Sequence, residues 1–246
     1  MKERYIETPN LPQGRVTLVG VGAYPQITEA LEKEGISTLS FSSNILPAET
    51  ARHTDMLLCH IGGYRVFAVP SINTGKLTAA GFSVYQADEI SAVYPDDVKV
   101  NAAVGCGYYI YNPETIDTNL NEELILNGFI GIPVKQGYSK CSVCFVTEKA
   151  IITEDPSIYR ALQKTSCDTL LISQGDIFLS EKHYGFFGGS SGKISKDTLA
   201  VTGELKYHRD GDRIIQFCKA HGVKIKELIK GRLIDIGGII PLLEKR

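Results

Sequence analysis

The sequence has no long hydrophobic run and no excess of charge of either sign. No window approaches the roughly 18 consecutive apolar residues that a transmembrane helix needs, so we predict no membrane-spanning segment. The 26 basic and 28 acidic residues give a formal net charge of −2. A chain so close to neutral lacks the basic footprint of proteins that bind nucleic acid or an anionic membrane surface. We therefore predict neither class of partner.

The sequence also lacks a secretory signal, because its first ten residues, MKERYIETPN, contain no apolar segment. We predict a cytoplasmic protein whose six cysteines are free thiols rather than disulfides. Cys141 and Cys144 have the CxxC spacing, but there is no second such pair and no nearby histidine pair. Residues three apart on a strand point to opposite faces, so we predict no metal site.

Two glycine-rich stretches suggest nucleotide-binding loops, and both fail the required pattern. The stretch GFFGGSSGK (185–193) has Phe187 where a phosphate-binding loop needs glycine, and Ile194 where it needs serine or threonine. The GVG at 20–22, followed by Pro25, does not match the dinucleotide fingerprint. We therefore predict no cofactor. The 185–193 stretch is expected to be a turn or pore loop, whose backbone N–H groups could still form an anion nest.

An internal repeat is the strongest feature that the sequence does contain. Four helix-like segments each end in a glycine that leads into a strand-like segment: Gly35, Gly81, Gly128 and Gly222. The intervals between them are 46, 47 and 94 residues, the last being twice 47. Each glycine stands where a helix C-terminus favours a left-handed residue. A fifth helix-like segment at 155–173 lacks the glycine but begins with Asp155 as N-cap and Pro156 as first helical residue.

Each helix-like segment follows a pair of short apolar strands. Four pairs lie at 55–70, 101–112, 142–153 and 192–203, and the fifth must be shared between 15–22 and 233–243. A period near 45 with mixed strands and helix is typical of a closed array, and pairing the chain ends removes the open edges. We therefore predict an α/β fold of five ββαβ units, with an ordinary α/β sandwich of fortuitous spacing as the alternative.

Within this scheme the chain is one domain. We place it over 1–246, with an irregular lead at 1–14. The units are expected at about 53–86, 99–134, 138–173, 188–228, and 231–246 combined with 15–41.

Five ββαβ units with one shared between the ends resemble the pentein, or amidinotransferase-like, superfamily. The resemblance covers residues 15–243, and the chain looks closest to uncharacterised bacterial members. Other members are arginine and agmatine deiminases, dimethylarginine hydrolases, glycine amidinotransferase and a non-enzymatic ribosome anti-association factor. The resemblance implies a β/α-propeller in which the first strand of each unit lines a central pore that holds the enzymes' site. The polar residues that it places at the pore are His53, Asp55, Asn101, Lys140, Ser190, Ser191 and Asp235.

The chain departs from the resemblance at the reaction centre. The deiminating members use a nucleophilic cysteine in the C-terminal segment, a histidine in the fourth unit and carboxylates that hold the guanidinium. The chemistry needs a thiolate to attack the guanidinium carbon, a proton shuttle and bidentate acceptors for a planar cation. Here Gly237 and Gly238 stand where the cysteine is expected, and Tyr138 or its neighbours where the histidine is expected. The last cysteine, Cys218, lies inside a helix-like segment.

We therefore predict binding of a small polar ligand, guanidino or amino-acid-like, in the pore without the standard cysteine and histidine. The predicted contacts are Asp55, Asn101, Lys140, Ser190, Ser191 and Asp235. One alternative is a non-standard hydrolase or amidinotransferase. In that alternative Asp55 and Asp235 hold a cation and His53 acts as base, while Cys141 is the nucleophile. A second alternative is an assembly factor that binds a protein partner on its flat face, and a homo-oligomer is also compatible with the sequence.

Two of these residue assignments have plain structural alternatives. His53 and Asp55 are two residues apart and would share one face of a strand, which suits a ligand contact or a base with its orienting carboxylate. They would equally suit the start of a strand, with a solvated histidine and a turn aspartate. Cys141 follows Lys140, which could lower the pKa of the thiol, but a small buried strand residue fits the same position.

Overall fold

The computed structural model of the chain describes residues 2–246, which form a mixed α/β structure with several small sheets. The strands are β1 (Glu3–Tyr5), β2 (Arg15–Val21), β3 (Ser37–Leu39), β4 (Leu58–Gly62), β5 (Arg65–Ala68), β6 (Ser83–Gln86), β7 (Ala103–Val104), β8 (Tyr108–Tyr111), β9 (Ile130–Pro133), β10 (Cys144–Thr147), β11 (Ala150–Thr153), β12 (Asp168–Leu171), β13 (Ser191–Ser195), β14 (Thr198–Val201), β15 (Lys224–Glu227) and β16 (Ile239–Lys245). The α-helices are α1 (Pro25–Lys33), α2 (Thr54–Leu57), α3 (Gly75–Ala79), α4 (Thr118–Leu126), α5 (Pro156–Leu162) and α6 (Gly211–Ala220), and a 3-10 turn spans Leu205–Tyr207. The predicted α/β class is confirmed.

The same strand pattern occurs five times. An antiparallel strand pair is followed by a helix and then by a third strand that runs parallel to the second. Three of these groups form separate three-stranded sheets, β4-β5-β6, β7-β8-β9 and β10-β11-β12. The other two, β13-β14-β15 and β16-β2-β3, share one seven-stranded sheet that also contains β1. A single register pair, Ser195 opposite Arg15, joins them.

The two ends of the chain pair with each other. β16 runs antiparallel to β2, with Ile239 opposite Val21, and β1 pairs with the other edge of β16. The expectation of an irregular lead at 1–14 is therefore wrong at residues 3–5, and Met1 lies outside the described residues. The buried Glu244 carboxylate explains why the lead is ordered, since it accepts the backbone N–H groups of Gln13 and Gly14 at 2.6 and 2.7 Å.

The helix ends behave as the sequence predicts. Gly35, Gly81, Gly128 and Gly222 have φ values of 74, 87, 79 and 70°. These left-handed conformations stop each helix and turn the chain into its parallel strand, which confirms the prediction. At the fifth helix, the Asp155 carboxylate accepts the N–H groups of Ser157 and Ile158 at 2.7 and 2.9 Å, as an N-cap should.

Each long helix buries one apolar stripe against its own sheet. In α1 the buried residues Ile27 and Leu31 are four apart, and in α6 Ile214 and Cys218 have the same spacing. Their opposite faces carry charged residues. The apolar cores therefore lie between sheets and helices. The polar residues that were predicted to face the pore lie at the N-terminal ends of the first strands.

The segment around His53 differs from its prediction. Residues Thr54–Leu57 form a helical turn, with His53 as its N-cap residue, and the strand begins at Leu58. His53 and Asp55 thus do not share a strand face. A short apolar run such as TDMLLCHI fits a buried strand and a buried helical turn equally well, so its pattern could not separate the two.

None of the helices within residues 2–246 combines the length and the hydrophobicity needed to cross a lipid bilayer.

Candidate functional site

The polar residues predicted to face the pore come from all five strand groups, and each precedes or opens a first strand. His53 and Asp55 precede β4, Asn101 precedes β7, Lys140 and Cys141 precede β10, Ser190 and Ser191 lead into β13, and Asp235 precedes β16. All of them are buried. The structure therefore gathers these side chains near one centre, although not on one surface.

Asn101 joins three of the segments. Its Nδ2 donates to the carbonyl of Asp55 at 2.9 Å, and its Oδ1 accepts the backbone N–H of Lys140 at 2.8 Å. Nδ2 also lies 3.2 Å from the Sγ of Cys141. The amide is thus occupied by contacts that fix the Asp55 and Cys141 segments relative to each other, so Asn101 positions the site.

Asp235 is held in the same way by backbone groups. Its Oδ1 accepts the N–H of Gly237 at 3.0 Å, and its Oδ2 accepts the N–H of Phe186 at 2.8 Å. The Nδ1 of His53 lies 3.6 Å from Oδ1, an ion-pair distance when the histidine carries a proton. The carboxylate is therefore fixed in orientation and remains close to a group that can exchange protons.

Several buried atoms of the centre have no hydrogen-bond partner among residues 2–246. These atoms are both carboxylate oxygens of Asp55 and the Nε2 of His53. Burial raises the pKa of Asp55, while the nearby His53 and Lys140 oppose that rise. The Cys141 thiol is also near enough to Asp55 to help lower the pKa of that carboxyl. An acceptor left unpaired in a protein interior costs free energy, so a donor supplied from outside would stabilise this centre.

The Cys141 thiol is buried and is not poised as a thiolate. Burial raises its pKa well above the ordinary value, and the nearby carboxylates of Asp55 and Asp235 raise it further. A reactive cysteine requires the opposite environment, with nearby positive charge and partial exposure.

A cleft of about 520 Å³ leads from the surface to this centre. Its floor is formed by His53, Cys141 and Asp235. The walls add Asp97 and Tyr138, whose hydroxyl donates to Asp97 Oδ2 at 2.7 Å. This cleft has the volume of a small-molecule site and combines apolar walls with a few convergent polar groups.

Asp97 was missed in the sequence. It lies in the loop before the Asn101 segment and is buried, and its Oδ1 has no donor among the described residues, 2–246. Burial raises the pKa of Asp97, the Tyr138 hydrogen bond opposes that rise, and Asp96 adds to it. The only indication in the sequence was its position shortly before a predicted first strand.

Ser190, Ser191 and Lys140 do not line the cleft. The two serine hydroxyls both donate to the carbonyl of Phe187, at 3.1 and 2.7 Å. Lys140 instead lines two cavities of about 10 Å³, and Asn10 covers both of them. Lys140 and Ser191 therefore face the far side of the centre from the cleft, and Ser190 lines neither the cleft nor these cavities.

The glycines near the C-terminus are packed against the His53 segment. Gly237 and Gly238 both have φ of 75°. A Cβ at position 237 would lie 2.3 Å from the Cα of His53, which is backbone and cannot move aside. Any side chain at 237 would meet both a clash and an unfavourable backbone conformation.

Among residues 2–246, no group of three His, Cys, Asp or Glu side chains is arranged to hold a metal ion.

Comparison with solved structures identifies the fold. The chain is similar to a putative peptidyl-arginine deiminase, with 11% identity, 99% of each chain covered and a TM-score of 0.56. It is also similar to an inosamine-phosphate amidinotransferase from Streptomyces griseus, with 10% identity, 89% of each chain covered and a TM-score of 0.54. An agmatine deiminase from C. jejuni gives 10% identity and a TM-score of 0.53, with 93% of this chain and 91% of that chain covered. These proteins have the pentein fold, and the resemblance inferred from the repeat is confirmed at the level of fold.

At the level of sequence, no curated protein matches significantly. The model of a family of unknown function matches residues 18–240, which is most of the chain. This protein therefore has the pentein fold and belongs to the family of unknown function DUF6873.

Proposed function

We propose that this protein binds a small organic cation, guanidino or amino-acid-like, in the 520 Å³ cleft. The observation that carries the proposal is the presence of carboxylates in the lining of the cleft. Asp97 has a buried oxygen without a donor among residues 2–246, and Asp235 forms part of the floor. Glu49 adds a third carboxylate to the lining, which also includes Lys182. The five strand groups, in this proposal, close around the site as a ring, so that each contributes one segment to the centre.

Charge and hydrogen bonding favour a cation that carries N–H groups. A guanidinium or ammonium group would give Asp97 Oδ1 the donor that the protein does not provide, and charge-assisted bonds of this kind are stronger than neutral ones. Asp55 lies behind the floor with two further unpaired oxygens and would add attraction through the low-dielectric interior. The named activities of the structurally similar proteins, on agmatine and on peptidyl-arginine, agree with a guanidino ligand.

Binding without turnover by the standard deiminase route is part of the proposal. The C-terminal segment has glycine at 237, where the backbone of His53 leaves no room for a cysteine side chain. The thiol on the cleft floor, Cys141, has a pKa well above its ordinary value because it is buried between carboxylates. Neither position supplies a ready thiolate.

The matched pair arginine and citrulline tests the proposal. The two amino acids have nearly the same shape and the same α-ammonium group, but only arginine carries a guanidinium cation. We expect arginine to raise the melting temperature in a concentration-dependent way, with about 2.7 kcal/mol of stabilisation at a hundredfold excess over Kd. Citrulline should have little effect, and Asp97→Asn should weaken arginine binding at least tenfold. Equal shifts with the two compounds would show that the cleft does not recognise the guanidinium group, and no shift with arginine would contradict the proposal.

A non-standard enzyme is the second candidate, because Cys141, His53 and Asp235 meet on the cleft floor. A bound cation next to the thiol would lower its pKa, and His53 could then take the proton. This candidate would be established if the wild-type protein released ammonia from the ligand or transferred its amidino group, and if both Cys141→Ser and His53→Ala lost that activity. A folded wild-type protein that binds arginine and leaves it unchanged after prolonged incubation would exclude it for that ligand.

A protein-binding role has one supporting observation. Ile125, Leu126 and Ile130 lie close together in the chain, at the end of α4 and the start of β9, and are 56, 81 and 71% exposed. Exposed apolar residues this close together are typical of interaction surfaces. Replacement of all three by Ser should leave arginine binding intact, and a change in the oligomeric state by light scattering would show that they bind a partner copy.

A further inference from the structure

One wall of the cleft consists of aromatic rings, and the binding of a cation by the carboxylates gives these rings no role. Tyr94, Tyr138 and Phe186 follow one another with centroid separations of 6.0 and 5.9 Å and interplanar angles of 25 and 23°. Tyr184 stands across Phe186 at 71°, with centroids 6.5 Å apart. The four rings thus form a row of near-parallel rings that ends in a right-angled corner.

These rings are incompletely covered, although each lines the cleft. Tyr94 and Tyr184 are each 48% exposed, and Tyr138 and Phe186 are partly buried. When a ligand covers large apolar rings that were exposed in a concave site, the burial of their surface favours binding. Flat ligands fit such rings best, because stacked and edge-to-face contacts between rings are favoured.

The carboxylates of Asp97 and Asp235 each accept a hydrogen bond from a residue of this aromatic row. The hydroxyl of Tyr138, the middle ring, donates to Asp97 Oδ2, and the backbone N–H of Phe186, the end ring, donates to Asp235 Oδ2. A cation held at either carboxylate therefore has ring faces within reach of whatever it is attached to. Rings also attract cations directly through their negative faces.

We propose that the cleft selects organic cations joined to a flat apolar group, such as an aryl amidine or aryl amine, over cations with a small aliphatic substituent. This inference rests on the proposed function, because it assumes that the carboxylates hold the cation. It adds a subsite, formed by Tyr94, Tyr138, Tyr184 and Phe186, for the flat group. Any of these ligands must be small, because the cleft holds about 520 Å³.

Acetamidine and benzamidine test the subsite, since they share the amidinium and differ in a methyl or a phenyl group. We expect benzamidine to bind at least tenfold more tightly by calorimetry. Tyr94→Leu should reduce that ratio about threefold or more. The control Tyr207→Leu alters a tyrosine of matching exposure, 47%, that does not line the cleft, and it should leave the ratio unchanged. Phe186→Leu should act like Tyr94→Leu if it folds, and Tyr94 is exposed enough that its variant is expected to fold.

The outcomes separate the two proposals. Binding of both amidines with equal affinity would overturn the aromatic subsite and leave the cation site standing. A preference for benzamidine that Tyr94→Leu and Tyr207→Leu affect equally would also overturn it. No binding of either amidine, together with no binding of arginine, would overturn the cation site and the subsite with it.

Discussion

The two sides of the polar centre differ in access and in charge. The cleft side is open and carries the carboxylates of Asp97 and Asp235. The far side contains two cavities of about 10 Å³, each large enough for one water, and carries Lys140 and Lys193. The same set of loops thus places two carboxylates, together with Lys182, around an open cleft on one side and encloses Lys140 and Lys193 beside small cavities on the other.

The comparison of the two sides shows which buried charged groups stabilise the fold. On the far side, the ammonium of Lys193 donates to the carbonyls of Val146 and Lys196 at 3.1 and 2.7 Å. The N-terminal segment covers this side, and Asn10 donates to the carbonyl of Val104 at 2.9 Å. On the cleft side, by contrast, Asp97 Oδ1 has no donor. Satisfied polar groups stabilise the fold, whereas unsatisfied ones at a cleft are candidates for ligand contacts.

The largest effect is expected at Gly237, where the two sides meet. Gly237→Ala places a Cβ 2.3 Å from the Cα of His53, so we expect a loss of about 4 kcal/mol or more, or failure to fold. The matched control is Gly128→Ala, because Gly128 has a similar φ of 79° but no atom within 4 Å of the added Cβ. It should cost only about 1–2 kcal/mol. Equal losses by urea unfolding would show that backbone conformation, not close packing, fixes the His53 segment.

Asp55→Asn should stabilise the empty protein. Asp55 has two unpaired buried oxygens and a raised pKa, so we expect a gain of about 2 kcal/mol at pH 7. Because the pKa is raised on folding, the favourable contribution of Asp55 is present below its ordinary value of 3.8 and is lost as pH rises through the raised pKa. The stability of Asp55→Asn should not show this fall as the pH rises. Arginine should bind it several-fold more weakly.

Glu154→Gln is the control for Asp55→Asn. Glu154 is buried with one unpaired oxygen, and burial raises its pKa well above the ordinary value, but it does not line the cleft. The Glu154→Gln substitution should also stabilise the protein and should leave arginine binding unchanged. Weaker arginine binding in both variants would mean that the effect is general rather than local to the cleft.

Lys193→Met tests the closed side. The variant leaves the carbonyls of Val146 and Lys196 without their donor, a cost of about 1–2 kcal/mol. At pH 7 it also removes an ammonium that folding disfavours, so its loss of stability relative to wild type should be larger at pH 10 than at pH 7. Burial lowers the pKa of Lys193 from 10.5 to about 8. The unfolded chain therefore holds this proton more tightly, and wild-type stability should gain from Lys193 as pH rises from about 8 to 10.5. The variant should lose that gain and keep arginine binding. Impaired binding would show that the two sides are coupled.

The smallest effect is expected at Cys141. Its buried thiol, with a raised pKa, should react with iodoacetamide about a hundredfold more slowly than the exposed Cys106 in the native protein. Cys141→Ser should change stability by less than about 1 kcal/mol and leave arginine affinity unchanged. If arginine speeds the alkylation of Cys141, the second, enzymatic candidate gains support. Peptide mass spectrometry measures both rates in one sample.

The repeat was readable from the sequence because local backbone chemistry marks it. A glycine at four of the five helix ends and Asp155 at the start of the fifth helix are short-range features, and the structure bears out both. The same reasoning failed at Thr54–Leu57, where a helical turn occupies an apolar run expected to be strand. It also failed at Glu3–Tyr5, a three-residue strand that exists only because β16 offers it an edge.

The cleft could not be read from the sequence. Asp97, Tyr94 and Phe186 come from connecting loops, which have no periodicity, and only the packing of the units brings them together. The predicted centre did come together, because His53, Asp55, Asn101, Cys141 and Asp235 precede equivalent strands. Which of its two sides is open depends on loop packing and on the N-terminal segment, both of which are tertiary features.

The pairing of β2 with β16 has a consequence for synthesis of the chain. β2 leaves the ribosome long before its partner, which follows only after residues 239–245 have been made. Until then Val16, Val19 and Val21, which are all fully buried in the finished protein, have no strand to cover them. Pairings of such long sequence separation form slowly, and uncovered apolar strands tend to aggregate. The nascent protein should therefore depend on chaperones until its last strand has been synthesised.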